Sequence, residues 1–177
     1  MSSEPVDADC TLLDETEVNV KYRSLGQSAL TVSRLSMGTV ELAQVYGIQS
    51  KLHAGRPDRQ TSVDLLEGAH ASGINLFDTA PSYGCSEEML GDVFAGREEL
   101  LIATKINIPP ADGDPSLLVR QSIESSLTKL RRNRLDIVKI HNATKDTFER
   151  KGLTEALIAA KKNGEVRFTG ASVYGSE

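Results

Sequence analysis

Four residues whose side chains can carry out acid–base chemistry stand where predicted strands end. Asp78 closes the apolar run Gly73-Ile-Asn-Leu-Phe-Asp78, and Tyr83 follows it after a short turn. Two later apolar runs close in the same way, one on Lys105 and one on His141. Because the carboxyl ends of parallel strands meet at one edge of a sheet, we expect these four side chains to share one rim. That rim is the candidate functional site.

The four side chains together predict a proton donor held beside a carbonyl group. The ammonium of Lys105 would be partly desolvated at the end of an apolar strand, and the carboxylate of Asp78 could pair with it. That positive charge would favour the tyrosinate form of Tyr83, so the phenol could give its proton to a developing alkoxide. His141, one strand further along, could hydrogen-bond the carbonyl oxygen from the other side. The set suits hydride addition to an aldehyde or ketone, with a nicotinamide cofactor as the hydride source.

Each of these residues has an ordinary structural explanation when it occurs alone. An acid at a strand end is usually a cap or turn residue, a tyrosine after proline usually packs, and a lysine can extend its aliphatic stem to solvent. A histidine at a strand end is often a satisfied structural residue. Four such residues on successive strand ends are much harder to explain as coincidence, which favours the functional interpretation.

The composition is that of an ordinary globular protein. Of the 177 residues, 39% are hydrophobic and 25% are charged, and the formal net charge of -5 gives no reason to expect a nucleic-acid partner. No apolar run approaches the roughly 18–20 residues of a membrane span. Cys10 and Cys85 lack the spacing of a metal site or a disulfide framework. We therefore expect a cytoplasmic protein with no metal and no membrane partner.

Two regions are expected from the distribution of charge and pattern. Residues 1–19 are acidic and lack both a basic start and a long apolar core, so they are predicted to be a mobile tail rather than a secretory signal. Residues 20–177 are predicted to form one domain, because a segment of this length can bury a hydrophobic core of its own.

Strand and helix patterns alternate along this domain. A β-hairpin is expected over residues 20–34, and residues 41–57 are read as a loop over the rim. Asp136 and Lys139 interrupt the apolar pattern of one strand. The candidate core strands are residues 35–40, 74–78, 99–105, 135–141 and 166–172. The candidate helix starts are Thr61, Ser86, Asp114 and Thr154.

This alternation predicts an α/β fold with a parallel sheet. The strands start roughly 25 to 40 residues apart, which is the pitch of right-handed βα units. An open dinucleotide-binding sheet has the same pitch, but its Gly-x-Gly-x-x-Gly fingerprint is absent. Polar residues at successive strand ends are typical of a TIM barrel, whose active sites occupy the carboxyl-terminal face. The predicted fold is therefore a (β/α)8 TIM-barrel type, incomplete, with an N-terminal hairpin and about five βα units.

The same residues resemble the aldo-keto reductase family. The match runs from about residue 20 to the end of the chain. The segment Gly73-Ile-Asn-Leu-Phe-Asp78-Thr-Ala-Pro-Ser-Tyr83-Gly is similar to the family signature. The other segments that resemble the family are Leu35-Ser-Met-Gly38-Thr39, Ile102-Ala-Thr-Lys105 and Ile140-His141-Asn142.

The resemblance implies a role for each residue. Tyr83 would be the general acid, Lys105 and Asp78 would tune it, and His141 would orient the carbonyl group. The usual cofactor of the family is NADPH, and Val173 stands where many members carry an asparagine near its amide. The positions that the resemblance assigns to cofactor binding are Gly38, Thr39, Asp78, Asn142 and Ser172.

The chain is expected to hold only part of the family's barrel. It has five predicted strands, whereas a complete barrel needs about 250 residues. The remaining strands would carry the adenosine and phosphate contacts of the cofactor. The outer strands of such a fragment would expose unpaired N–H and C=O groups, which predicts self-association of the chain by itself.

Three functions follow as hypotheses. The first is an NADP-dependent oxidoreductase of small carbonyl substrates, at least as part of a longer protein. The alternative is a catalytically silent member of the same family that acts as a binding or regulatory subunit. The third is an unrelated barrel, such as a lyase that forms a Schiff base on Lys105. The long loop over the rim is expected to help select the substrate.

Overall fold

A computed structural model describes residues 20–46, 55–109 and 113–174. The predicted acidic tail, residues 1–19, and residues 47–54 of the predicted rim loop lie outside the described residues. The strands are β1 Tyr22–Ser24, β2 Thr31–Ser33, β3 Met37–Gly38, β4 Leu76–Asp78, β5 Leu101–Ile106, β6 Leu135–Ile140 and β7 Val166–Ala171. The helices are α1 Val40–Ala43, α2 Arg59–Ala71, α3 Ser86–Phe94, α4 Pro115–Leu130, α5 Lys145–Glu149 and α6 Leu153–Lys162.

Strands β3 to β7 form one parallel sheet whose order in space is their order in the chain. Every pair of neighbours in this sheet is parallel. A doubly wound sheet reverses its strand order at a switch point, whereas a barrel adds strands in one direction. The observed order confirms the predicted α/β fold and fits the first five strands of a (β/α)8 barrel.

The predicted hairpin forms from β1 and β2 and covers one end of the sheet's inner face. Leu30 and Val32 on the hairpin pack against Leu101, the first residue of β5. The amide N–H of Ser33 donates to Oδ1 of Asn75, just before β4, at 2.7 Å. The hairpin therefore closes the amino-terminal end of the strands and leaves the carboxyl-terminal end open for the site.

The helices cover the other face of the sheet. The rings of Phe77 on β4 and Phe94 on α3 lie 4.9 Å apart in this layer, and Leu66 on α2 is fully buried beside them. All six residues of β5 are buried, as expected for a strand covered on both faces. None of the described helices is long and apolar enough to cross a lipid bilayer. No three described His, Cys, Asp or Glu side chains are arranged to hold a metal ion.

Two helix starts differ from the sequence prediction. Helix α2 is capped by Asp58, whose Oδ1 accepts the N–H of Thr61 at 2.8 Å, so Thr61 lies inside the helix rather than at its cap. Helix α3 has Cys85 at its cap position, and Ser86 is its first helical residue. The hydroxyl of Ser86 donates to Oγ1 of Thr39 at 2.5 Å. The side chain of Ser86, which the local pattern assigned to capping, therefore forms a tertiary hydrogen bond to Thr39 instead.

Other predicted boundaries are close to the observed ones. Asp114 caps α4 as expected, accepting the N–H of Ser116 at 2.9 Å, with proline in the first helical position. The predicted first core strand is shorter than expected, because α1 already begins at Val40. The prediction of an unbroken loop over residues 41–57 is therefore wrong at its start. The five-residue helix α5 was not predicted, since so short a segment shows no helical period.

Gly91 allows α3 and α4 to approach closely. A methyl group at this position would lie 2.0 Å from the carbonyl oxygen of Lys129. We expect Gly91→Ala to separate the two helices and to lower the free energy of unfolding by about 1–3 kcal/mol, measured by urea denaturation. The control is Gly68→Ala in α2, where an added methyl meets no atom within 4 Å. It should stabilise the helix by about 0.5–1 kcal/mol, and equal effects of the two variants would refute the close-approach explanation.

Candidate active site

The four predicted acid–base residues meet at the carboxyl edge of the sheet. Asp78 ends β4, Lys105 is the penultimate residue of β5, and His141 directly follows β6. Tyr83 lies in the turn between β4 and α3. The ammonium of Lys105 is ion-paired with Oδ1 of Asp78 and lies 4.6 Å from the centre of the Tyr83 ring. The rings of Tyr83 and His141 meet edge to face, with centroids 5.8 Å apart.

The ammonium of Lys105 is buried and held on two sides. Its side chain is 4% exposed. Besides the ion pair with Asp78, Nζ donates a hydrogen bond to the carbonyl oxygen of Thr79 at 2.8 Å. A buried charge requires such partners, because desolvation without them is costly. Lys105 therefore does not extend to solvent, and its charge is fixed against the Tyr83 ring.

A fifth charged residue, Lys139, belongs to the same cluster. Its ammonium is ion-paired with Oδ2 of Asp78, so one carboxylate serves two lysines. Lys139 lies opposite Lys105 in the register of β5 and β6. The sequence showed Lys139 only as an interruption of an apolar strand. The signal that could have found it is its spacing of two from His141, which places both side chains on the same face of the strand.

Two further polar side chains hold the imidazole of His141. Its Nδ1 lies 3.1 Å from Oδ1 of Asn107 and 3.3 Å from Oγ of Ser82. Neither residue was predicted, although Asn107 stands two positions after Lys105. In the tautomer in which Nδ1 accepts from the hydroxyl of Ser82, Nε2 carries the proton and can donate to a substrate oxygen.

The environment of His141 favours the neutral imidazole. Burial lowers the pKa of His141 below its ordinary value, and the positive charge of Lys105 lowers it further. The negative charge of Asp78 raises the pKa of His141, and the positive charge of Lys139 lowers it. A neutral imidazole has one donor nitrogen and one acceptor nitrogen, so Nε2–H can donate to a substrate oxygen when Nδ1 is the acceptor.

This lowered pKa predicts that mild acidification destabilises the fold. The unfolded chain takes up a proton on His141 near the ordinary pKa of about 6.5, whereas the folded chain resists until a lower pH. The free energy of unfolding should therefore fall as the pH drops from about 7 through the folded-state pKa. His141→Gln, which cannot titrate, should show a weaker dependence of Tm on pH between about 5 and 7.5. Identical slopes in the parent and the variant would contradict the prediction.

The predicted cofactor positions on the first strand lie beside Asp78. Gly38 ends β3 and stands opposite Asp78 in the sheet. The side chain of Thr39 is fully buried, and its hydroxyl donates to the backbone carbonyl of Asp78 at 2.9 Å while it accepts from Ser86. The hydroxyl of Thr39 therefore supports the backbone at Asp78 and does not point to the rim.

The other two predicted cofactor positions lie on the far side of the rim. Asn142 follows His141 in a left-handed conformation with a φ of 51° and is exposed. Ser172 lies beside it, and its carbonyl oxygen accepts the N–H of Ala143 at 2.7 Å. A cleft of about 530 Å³ opens there, lined partly by Asn142, Phe148 and Tyr174. Thr144, Lys145 and Val173 also line this cleft, whereas Ser172 is not among its lining residues.

Known proteins are similar to this chain in sequence and in fold. Residues 34–177 match the model of the Aldo/keto reductase family. The chain is 28% identical to the uncharacterized oxidoreductase YrpG of Bacillus subtilis over 174 residues, which are 88% of this chain and 50% of YrpG. It is 30% identical to an NADH-specific methylglyoxal reductase of Escherichia coli over 174 residues, which are 86% of this chain and 52% of that protein.

Solved structures agree with these relatives. A crystal structure of a Pseudomonas aeruginosa protein assigned as an aldo-keto reductase superposes with a TM-score of 0.77 at 32% identity. That match covers 91% of this chain and 64% of the other chain. The chain spans about half the length of the curated relatives described above.

Proposed function

The chain belongs to the aldo/keto reductase family, and on that premise we propose that it carries the acid–base residues of a reductase that adds hydride from NADPH to small aldehydes or ketones. Membership of the family supports the broader class, an oxidoreductase. One observation carries the finer proposal: the buried ammonium of Lys105, paired with Asp78, lies 4.6 Å from the centre of the Tyr83 ring. A fixed positive charge beside the ring of a phenol favours loss of the phenol proton, which supports the assignment of Tyr83 as the proton donor.

The proposed reaction assigns one task to each side chain. A nicotinamide cofactor, when bound, supplies the hydride to the carbonyl carbon. Tyr83 donates its phenol proton to the carbonyl oxygen as negative charge develops there, which yields the alcohol. Lys105 stabilises the phenolate that remains, and Asp78 holds Lys105 in place. His141 orients the carbonyl oxygen through Nε2.

The cofactor assignment rests on fewer residues. In this proposal Asn142 and Ser172 hold the carboxamide of the nicotinamide, and the backbone at Gly38 and Thr39 borders it from the first strand. Asp78 contributes indirectly, because it holds the local backbone and the ammonium of Lys105 in place. The preference for NADPH comes from the resemblance to the family, and one relative is named as NADH-specific. A cytoplasmic location is part of the same proposal.

A panel assay tests this function. The 177-residue chain is mixed with NADPH or NADH and with small aldehydes and ketones, and the loss of absorbance at about 340 nm is followed. We expect oxidation of the nicotinamide cofactor that depends on the presence of the carbonyl compound. Binding of NADPH without turnover of any carbonyl compound would favour the alternative, a silent binding or regulatory subunit.

The Schiff-base alternative is less well supported by the geometry. Nζ of Lys105 already contacts Asp78 and the carbonyl oxygen of Thr79, and the side chain is 4% exposed. A nucleophilic lysine must be uncharged and open to the substrate carbon. Borohydride trapping of a carbonyl compound on Lys105, detected by peptide mass spectrometry, would restore that alternative.

We also propose that this chain associates with itself through the edges of its sheet. Strand β3 lies at one edge and β7 at the other, and residues 169–171 of β7 are exposed. An edge strand presents unpaired backbone groups, and a lysine there opposes pairing. Light scattering after size exclusion should show species larger than one chain, and Thr169→Lys should reduce them. A single species with the mass of one chain at all concentrations would contradict this proposal.

A further inference from the structure

Two lysines face each other across neighbouring strands of the site. Lys105 and Lys139 are register partners on β5 and β6, and in a parallel sheet such partners point to the same face. Like charges directly opposite each other repel and destabilise a sheet. The carboxylate of Asp78 offsets this repulsion, because it gives one oxygen to each ammonium.

The cluster carries one positive charge in excess. Two ammonium groups share one carboxylate, and within the described residues Asp78 is the acid with which either lysine forms an ion pair. His141 adds no charge near neutral pH, because burial lowers its pKa. The side chain of Lys139 is 25% exposed, so solvent screens its charge only in part.

We propose that Lys139 is a positioning residue of this site. By holding Oδ2 of Asp78, it prevents the carboxylate from neutralising Lys105 alone, and it leaves an uncompensated positive charge in the cluster whose Lys105 ammonium lies 4.6 Å from the centre of the Tyr83 ring. This inference rests on the proposed function, in which Tyr83 donates the proton. With Lys139 in place, the phenolate that remains after proton transfer faces a net charge of +1 rather than a neutral ion pair.

The other charged and titratable groups near Tyr83 come from three parts of the fold. On the strand ends they are Asp78, Lys105, Lys139 and His141. Tyr46, just after α1, interacts electrostatically with Tyr83, with Glu41 of α1 and with Tyr174, which follows β7. The hydrogen bond to Tyr174 and repulsion between the two phenols raise the pKa of Tyr46, so Tyr46 adds no charge near neutral pH.

The pH profile of carbonyl reduction tests the proposal. Reduction requires the protonated phenol, so kcat/KM falls at alkaline pH as the phenol ionises. Lys139→Met removes the excess charge and should move this alkaline limb upward by about one pH unit, equivalent to about tenfold in the ionisation constant. Lys139→Arg should restore the limb of the parent. The control is Lys129→Met, on α4 and paired with Glu88 at 3.5 Å, which should leave the profile unchanged.

A second measurement needs no turnover. Ultraviolet absorbance at about 295 nm reports tyrosinate, and subtracting the titration of a matched Tyr83→Phe protein isolates Tyr83. Lys139→Met should move this difference curve upward by about one pH unit, and Lys139→Gln, as a second variant, should do the same. Circular dichroism of each variant checks that the fold is kept.

The outcomes separate the two proposals. An unchanged difference curve and an unchanged alkaline limb in Lys139→Met and in Lys139→Gln would overturn the role of Lys139 and leave the proposed function standing. A shifted difference curve in a chain that turns over no carbonyl compound would support the role of Lys139 and count against the proposed function.

Discussion

Tyr83→Phe is expected to reduce carbonyl turnover by about 10²–10⁴-fold, the usual contribution of a positioned general acid. The substitution removes only the phenol hydroxyl. The ring can keep its contact with Lys105, whose Nζ lies 4.6 Å from the ring centre, and its edge contact with His141. The loss should therefore appear in kcat, with cofactor affinity almost unchanged, when both are measured in one buffer by NADPH oxidation and by fluorescence titration.

Tyr22→Phe is the matched control for this substitution. The hydroxyl of Tyr22 donates to the carbonyl oxygen of Gly73 at 2.7 Å, on the hairpin that covers the opposite end of the strands. Its loss removes a hydrogen bond without touching the rim, so turnover should stay at the level of the parent. If Tyr83→Phe turned over carbonyl compounds as fast as Tyr22→Phe, Tyr83 would not be the proton donor.

Asp78→Asn is expected to lower the free energy of unfolding by about 3 kcal/mol, at the low end of the cost of breaking a buried ion pair. The low end applies because the side chain of Asp78 is 30% exposed and solvent screens part of the effect. The asparagine keeps the shape but leaves the charges of Lys105 and Lys139 opposite each other with no counter-charge. Urea denaturation measures the stability, and the activity should fall with it.

Asp92→Asn is a close control, because it removes a carboxylate of similar exposure whose partners lie at the surface. Asp92 also pairs with two cations, Arg59 and Arg131, and its side chain is 32% exposed, against 30% for Asp78. Its partners, however, are about 60% exposed, so their charges return to water at little cost. The expected loss of stability is about 0–1 kcal/mol. Equal losses in Asp92→Asn and Asp78→Asn would show that the burial of Lys105 does not matter.

A double variant tests the effect of the charges that Asp78→Asn leaves without a counter-charge. Asp78→Asn with Lys139→Met removes one of the two ammonium groups that the first substitution leaves without a partner. We expect the double variant to be more stable than Asp78→Asn alone, because the repulsion between the register partners is gone. A double variant less stable than Asp78→Asn would indicate that Lys139 contributes through its packing rather than through its charge.

The local sequence pattern predicted the wrong helix cap where more than one residue could serve as the cap. Asp58 and Thr61 can both cap a helix, and they stand only three positions apart. The structure uses Asp58, whose carboxylate accepts the N–H of Thr61. Ser86 looks like a cap in sequence, but its hydroxyl bonds to Thr39, a residue 47 positions away. Such a distant partner has no signal in the local sequence.

The sequence by itself determined the alternation of strands and helices and the four strand-end residues Asp78, Tyr83, Lys105 and His141. It could do so because a buried parallel strand is a short apolar run, and a polar residue at its end stands out. Only the tertiary structure decided the second ion pair of Asp78 and the contacts of Ser82 and Asn107 with His141. These depend on the register of neighbouring strands and the path of the loops, which set distances between residues far apart in the chain.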